Sequence, residues 1–283
     1  MNSLPRRQFI KTSLAASAAV TATLGSKLSA ATETGKQEFY ELRCYHLKAD
    51  SRLKTNGKAD LLDTYLEKAY LPALERRGIH GTGVFSELVV DKKAMTSEPM
   101  VDSPAWTLTR YASLNDYVGV SAEINADPMV QKTGAEYLDV PKKTPAFERI
   151  DSWLLRAFAS MPIMEQPEFS RRRVPSRVFE MRDYESHSEA KALLKMAMFN
   201  EGETQLMRDL GMNPMFFGQA LAGPNLPHLR YITCGPDLET HLKTWQTFGP
   251  SEGWQKMKSN PKYADSTSRN TARFLTPKAY SEI

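Results

Sequence analysis

The feature that most constrains the fold is a short motif, Glu-x-Arg-x-Tyr, that occurs twice. It lies in "FYELRCY", residues 39–45, and again in "VFEMRDY", residues 178–184, 139 positions later. Each copy opens a domain-sized segment with the same predicted order of elements: strand, helix, two strands, helix, strand. That order is the split βαβ, or ferredoxin-like, arrangement. Such a long spacing indicates a duplicated domain rather than a solenoid.

A single βαββαβ sheet carries helices on one face only, so its other face must be buried against another layer. Two such sheets in one chain can cover each other. We therefore predict an α+β protein in which two tandem ferredoxin-like domains, residues 36–158 and 177–283, pack sheet to sheet as an α/β barrel. Residues 159–176 contain three prolines and three consecutive arginines, which is typical of a linker.

The first 31 residues are predicted to be an export signal. "RRQFIK" at residues 6–11 has the pattern of a twin-arginine signal, and small residues at 29 and 31 favour cleavage after Ala31. The protein is therefore expected in the periplasm. The apolar stretch 13–24 is short for a bilayer, so no stable membrane span is predicted in the mature chain. An uncleaved anchor or a cytoplasmic amphipathic tail is the alternative.

The mature chain is predicted to be electrically neutral. The signal contains four of the 37 basic residues and no acidic residue, which leaves 33 basic against 33 acidic residues. This balance gives no electrostatic reason to bind nucleic acid. The two cysteines, Cys44 and Cys234, cannot form a disulfide framework and are expected to be free and buried. No histidine lies four residues from another, so no metal site is predicted.

Polar side chains occupy one face of each opening strand, because side chains alternate along a strand. The other face is apolar and is predicted to pack under the helices, so the polar face should point between the two sheets. There an arginine could bind an anionic or carbonyl group while a glutamate or tyrosine handles a proton. The alternative, which the duplication favours, is a salt-bridge network that fixes the register of the sheets. These candidate ligand-binding residues are Glu41, Arg43, Tyr45, Glu180, Arg182 and Tyr184.

A second group of candidates is aromatic. Trp245, Phe248 and Trp254 lie close to one face of a predicted helical segment and could wall an apolar pocket. Aromatic residues at this spacing more often belong to the core. No Gly-x-Ser-x-Gly nucleophile elbow occurs, so no catalytic residue can be named, and whether the protein is an enzyme stays open.

Three segments resemble the NIPSNAP family: "YELRCY", "WQTFGPSEGW" and "FLTPKAYS". The first half departs from this pattern, with the loop "DKKAMTSEPMVDSP" and with "DPMV" where the Trp254 region would lie. The family is similar in fold to the dimeric α/β-barrel superfamily, in which two ferredoxin-like units enclose a cavity. The resemblance implies the fold and does not imply a particular reaction.

These observations lead to two functional expectations. The first is an exported protein that binds a small apolar or carbonyl-containing molecule, or serves as an assembly module, with homo-oligomerisation as an option. The alternative is a small-molecule enzyme of the barrel type: a cofactor-independent monooxygenase, an isomerase or a haem-dependent enzyme. No cofactor is predicted for the first. In the haem alternative, His80 and His228 flank strands from which they could approach the group.

Overall fold

A computed structural model describes residues 36–47 and 61–283. The predicted export signal lies outside these residues. The strands are β1 (Phe39–Leu47), β2 (Gly83–Asp91), β3 (Thr96–Pro99), β4 (Ala105–Tyr111), β5 (Phe147–Ala157), β6 (Val178–Glu185), β7 (Pro214–Ala222), β8 (His228–Gly235) and β9 (Arg269–Pro277). The helices are α1 (Leu61–Tyr65, Leu66–Tyr70 and Leu71–Glu75), α2 (Leu114–Ala126), α3 (Pro128–Thr133), α4 (Ala135–Leu138), α5 (Glu168–Arg171), α6 (Glu189–Met198, Phe199–Glu203 and Thr204–Asp209), α7 (Leu238–Phe248) and α8 (Glu252–Lys258), followed by a 3-10 turn (Pro261–Tyr263).

Eight of the strands form one closed antiparallel barrel. Their order is β2-β4-β1-β5-β7-β8-β6-β9, and β9 pairs back onto β2. In the first half β1 lies between β4 and β5, and in the second half β6 lies between β8 and β9, as in ferredoxin-like folds. The predicted fold class is confirmed. The sheets of the two halves are joined edge to edge by the β5–β7 and β2–β9 pairs. These pairs close the barrel, so the edge strands of each half are hydrogen-bonded to the other half.

The polar segment after β2 was predicted to be a loop, and that prediction is wrong in part. Its residues Thr96–Pro99 form β3, which pairs with the end of β2 as a hairpin beyond the barrel wall. Every residue of β3 is exposed. The hydropathy pattern does not mark this strand because none of its side chains is buried.

The first long helix of each half contains one turn of π-helix. Leu66–Tyr70 forms this turn in α1 and Phe199–Glu203 forms it in α6. In α1 the π-helical turn ends two residues before Pro72, which lies in the first turn of the last helical segment. Both helices end at a glycine in the left-handed region, Gly78 and Gly211, which lie 133 residues apart.

The interior of the barrel is lined by the even-numbered residues of β1 and the odd-numbered residues of β6. They join one apolar cluster with side chains from both halves, including Leu42, Cys44, Phe179 and Met181. The predicted direction of the strand faces is therefore wrong. The closed interior of the barrel is lined by the more apolar face of each strand. The Glu-Arg-Tyr face packs under the helices, where the side chains of Arg43 and Arg182 are partly exposed.

Cys44 and Cys234 are free and buried, as predicted. In the described residues, no helix is long and apolar enough to cross a membrane.

Candidate functional site

The layer between the sheet and the helices of the second half contains a closed ring of six side chains. Four are aromatic and two are cationic, and each contacts the next around the ring. They are Arg182 and Tyr184 of β6, Lys195 of α6, Trp245 and Phe248 of α7, and Trp254 of α8; we call this the β6–α8 ring.

Three contacts hold the Arg182 side of this ring. The guanidinium of Arg182 lies 4.4 Å from the centroid of the Trp245 ring and 5.7 Å from that of Tyr184. Trp245 meets Phe248 edge-on, with centroids 5.6 Å apart. A cation over the face of an indole is the strongest of the ordinary cation–π arrangements.

The other three contacts include Lys195, which was not among the predicted residues. Phe248 and Trp254 have ring centroids 4.9 Å apart. The ammonium of Lys195 lies 5.4 Å from the Trp254 ring and 5.2 Å from the Tyr184 ring. The ring thus unites Arg182 and Tyr184 with the aromatic group that the sequence placed elsewhere in the chain.

Lys195 forms a buried ion pair with Glu203, which lies on the π-helical turn of α6. The two groups are 2.8 Å apart, and their side chains are 6% and 1% exposed. Burial raises the pKa of the Glu203 carboxyl, and the nearby ammonium of Lys195 opposes this effect. A buried carboxyl with a raised pKa is a candidate for proton exchange, and π-helical turns often occur at functional sites.

Glu180 anchors the inner side of Arg182. Its carboxylate accepts hydrogen bonds from Arg182 at 2.9 Å and from His241 Nε2 at 2.9 Å. Burial alone would raise the pKa of Glu180, but the hydrogen bond from His241 and the charge of Arg182 outweigh burial and lower it. Glu180 is therefore a fixed anion that orients the guanidinium, which also donates to Asn270 at 3.2 Å.

Two donors of the ring have no acceptor among the described residues. These buried groups are the Nε–H of Arg182 and the indole Nε1–H of Trp245. They belong to two side chains in direct contact. Buried donors are normally satisfied, and an unpaired one costs about 1–3 kcal/mol. Two such donors on neighbouring side chains suit acceptor atoms supplied by a ligand.

Residues 179–282 match the NIPSNAP family model. The matched segment includes every residue of the β6–α8 ring. A comparison with curated proteins finds no match.

Similar solved structures were also found. A candidate monooxygenase from Lactobacillus acidophilus NCFM is 9% identical, with 85% of this chain and 94% of that chain covered and a TM-score of 0.50. A NIPSNAP-like domain protein from Burkholderia xenovorans is 17% identical over 38% of this chain and 90% of its own, with a TM-score of 0.34. A heme-binding protein from Thermus thermophilus is 10% identical over 86% and 92%, with a TM-score of 0.45. The first of these supports the dimeric α/β-barrel fold.

The six residues of the β6–α8 ring do not fit haem. Tyr184 is the member whose type can ligate haem iron, and its hydroxyl is committed to the hydroxyl of Tyr231 at 2.9 Å. His80 and His228, the histidines considered from the sequence, line separate clefts, one in each half.

The matching layer of the first half lacks the ring. Glu41 accepts hydrogen bonds from Arg43, at 2.8 Å, and from Tyr111, and Arg43 lies over Tyr70. Tyr45 packs among the helices beside these groups. The spacing of 133 residues that relates the two glycines places a buried leucine, Leu62, where the second half has Lys195. The first half is thus a natural control for the second.

A second polar cluster lies inside the barrel, and none of its residues was predicted from the sequence to form a site. Asp183 accepts hydrogen bonds from the guanidinium groups of Arg230 and Arg273, at 2.7 Å from the latter. Arg230 also stacks on Trp153, 4.1 Å from the centroid, and the indole of Trp106 donates to Glu87 at 2.9 Å. Two cations and two anions balance here, which is the pattern of a structural network.

A signal for this cluster was present in the sequence. Asp183 occupies, in the second motif, the strand position that Cys44 has in the first. A carboxylate on the apolar face of a strand requires a buried cation on a neighbouring strand. Arg230 and Arg273, which share the β8 and β9 segments with apolar residues, meet that requirement.

No group of three or more metal-ligating side chains occurs in the part of the chain that the structure describes.

Proposed function

We propose that the NIPSNAP domain binds a small planar molecule that carries a carbonyl or anionic oxygen, at the β6–α8 ring. The observation that carries this proposal is the pair of unpaired buried donors, Arg182 Nε–H and Trp245 Nε1–H, on two stacked side chains. One ligand oxygen could accept from both donors.

The character of the ring restricts the ligand class. Its four aromatic side chains favour flat, apolar ligand surface, and its two cations favour negative charge or a strong dipole. Because Glu180 and Glu203 pair with those cations, an unpaired cation is not the driving force. We therefore expect selectivity for a polarised oxygen rather than simple anion attraction.

The test compares two ligands and two arginines. 1,4-Naphthoquinone is planar, uncharged and carries two carbonyl oxygens, whereas naphthalene has the same ring system without oxygen. Binding to the mature protein is measured by calorimetry and by quenching of tryptophan fluorescence. We expect binding of the quinone and weaker binding of naphthalene.

Arg182→Met removes the cation at the ring, and Arg43→Met removes the equivalent cation in the first half. Loss of a charge-assisted hydrogen bond is worth about 1.5–3 kcal/mol, so Arg182→Met should weaken quinone binding by a factor of about 10–150. Arg43→Met should leave it within about twofold of wild type. Urea unfolding of both variants checks that they are folded. Equal effects of the two substitutions, or no quinone binding at all, would contradict the proposal.

A second candidate function is catalysis of proton transfer at the same ring. The observation that favours it is Glu203, a buried carboxyl with a raised pKa that contacts the ring member Lys195. This corresponds to an enzyme of the barrel type, such as a monooxygenase or an isomerase. Oxygen uptake with hydroquinone substrates, in wild type and in Glu203→Gln, tests it. Unchanged uptake in the variant would contradict a role for Glu203.

We also propose that the protein is exported and acts in the periplasm, on the basis of the arginine pair in residues 1–31. An assembly role and homo-oligomerisation remain proposals that light scattering of the mature protein would test.

A further inference from the structure

A groove on the outer face of the barrel runs between α6 and the seam where β5 pairs with β7. It consists of two neighbouring clefts of about 300 and 320 Å³, which have Leu193, Met196 and Gln219 in common. Leu193 and Met196 are one turn apart on α6, so both clefts follow the same face of this helix. We call the two clefts together the α6–β7 groove; they share no residue with the β6–α8 ring.

One end of the groove is apolar. Leu193, Leu221 and Leu226 line it, and their exposed fractions are 56%, 43% and 48%. They come from α6, from the end of β7 and from the loop that follows it. Exposed apolar side chains that are scattered need no explanation, whereas a group of them around one concavity is typical of an interaction site.

The other end of the groove is polar. Arg156 of β5 and Gln219 of β7 are directly opposite each other in the β5–β7 ladder, and both line this end. Their neighbours Leu155 and Ala220 belong to the interior cluster of the barrel. Because side chains alternate along a strand, Arg156 and Gln219 are on the outer face, which α6 covers.

Arg156 has no acidic partner among the described residues. It is exposed, and its guanidinium donates a hydrogen bond to the neutral amide of Gln37. Gln37 and Asn200 line the same end of the groove. Glu189, an acidic residue that lines the groove, is at the apolar end instead. The groove therefore has an unpaired positive charge at one end and an apolar wall at the other.

The equivalent place in the first half is crossed by a polar bridge. The spacing of 133 residues puts Asp63 of α1 where the second half has Met196. The carboxylate of Asp63 accepts hydrogen bonds from Lys278 Nζ, at 2.9 Å, and from the hydroxyl of Tyr280. Lys278 directly follows β9, so the bridge connects α1 to the β2–β9 seam, which is the counterpart of the β5–β7 seam. The second half has apolar side chains where the first half has this bridge.

We propose that the α6–β7 groove binds an aliphatic carboxylate, the chemical class of the fatty acids. The carboxylate would accept hydrogen bonds from Arg156 and Gln219, and the alkyl chain would lie against the three exposed leucines. A planar guanidinium matches the two oxygens of a carboxylate. The charge of Glu189 disfavours a negative head group at the apolar end, which fixes the direction of the bound chain.

The test uses octanoate and octylammonium, which have alkyl chains of matched length and head groups of opposite charge. Each is titrated into mature protein with isotope-labelled leucine methyl groups, below the concentration at which it forms micelles, and chemical shifts are followed by NMR. We expect octanoate to shift the methyl signals of Leu193, Leu221 and Leu226. It should bind about fivefold more tightly than octylammonium, because an exposed ion pair contributes modestly.

Variants with matched controls locate the site. Arg156→Glu should reverse the preference for octanoate, whereas Arg172→Glu, which changes an exposed arginine at the end of α5, should keep it. Leu193→Asp should lose octanoate binding, whereas Leu114→Asp, which changes an exposed leucine of the first half, should bind octanoate like wild type. Arg182→Met should also bind octanoate like wild type, which separates this groove from the β6–α8 ring.

Equal binding of the two probes in wild type, or an unchanged preference in Arg156→Glu, would overturn the proposal. Shifts elsewhere than at the three leucines would also overturn it. Light scattering tests a second copy of this chain as the occupant, and a dimer that Leu193→Asp dissociates would assign the groove to that copy instead. Urea unfolding checks that each variant is folded; if Arg156→Glu does not fold, the comparison of the two probes in wild type decides alone.

Discussion

The ion pair between Lys195 and Glu203 allows a quantitative test of the second half. Lys195→Met removes the cation and keeps a side chain of similar length. It leaves the carboxylate of Glu203, 1% exposed, without its partner at 2.8 Å. Breaking a buried pair from one side typically costs about 3–5 kcal/mol, because the remaining charge is buried and unpaired.

The double variant Lys195→Met/Glu203→Leu should recover most of this loss. Replacing both members of a buried pair by apolar residues is often neutral or stabilising. The first half shows that such a layer packs without the pair, because Leu62 occupies the position equivalent to Lys195. The comparison therefore separates the energetic cost of an unpaired charge from the cost of lost packing.

The deficit of Lys195→Met should also depend on pH. The pKa of Glu203 is raised in the folded state above its ordinary value of 4.5. The folded state therefore holds a proton that the unfolded state releases, and stability falls as pH rises from the unfolded pKa through the folded pKa. Lys195 opposes the rise of the Glu203 pKa, so its removal raises the folded pKa further and widens this pH range. The free energy of unfolding of the variant should therefore be closer to that of wild type at pH 5 than at pH 8.

Urea unfolding at pH 5 and pH 8, followed by tryptophan fluorescence, measures these differences. The reasoning would be refuted if Lys195→Met lost less than about 1 kcal/mol at pH 8, or if the double variant were as unstable as the single one. A deficit that grew towards low pH would contradict the raised pKa of Glu203.

Two further predictions concern the thiols and the signal. Burial raises the pKa of Cys44 to about 12, so neither cysteine should react with a thiol reagent at pH 8 until the protein is unfolded; rapid labelling of native protein would contradict the packed interior. Replacing Arg6 and Arg7 by lysine should hold the precursor in the cytoplasm, which subcellular fractionation measures against an Arg171→Lys/Arg172→Lys control; unchanged export would contradict a twin-arginine signal.

The fold was predictable because the repeated motif marks equivalent strands, and because one-sided sheets must be covered. The direction of the strand faces was not, because both faces of β1 and β6 mix polar and large side chains, and alternation alone does not say which face is inside. Tyr40 and Asp183 face the interior although both are polar. Partners far away in the sequence, His241 of α7 and Tyr111 of β4, make the other face suitable for Glu and Arg.

The candidate site was predictable in part. Arg182 and Tyr184, chosen by the motif, and the aromatic group of α7 and α8, chosen by spacing, are in one ring. Lys195 was missed because a lysine in an amphipathic helix is usually on the solvated side. Its burial depends on Glu203, eight residues later, and on the π-helical turn in which Glu203 lies. No local pattern encodes that turn.

The filling of the barrel makes the two halves non-interchangeable. In the first half Cys44 and Leu42 pair with Trp106 and Trp153, whereas the equivalent pairs in the second half are Asp183 with Arg230 and Met181 with Arg273. A barrel of two first halves would crowd four indoles into one interior, and a barrel of two second halves would enclose four guanidinium groups with two aspartates. Each half therefore fills an interior space that a second copy of itself would not fill.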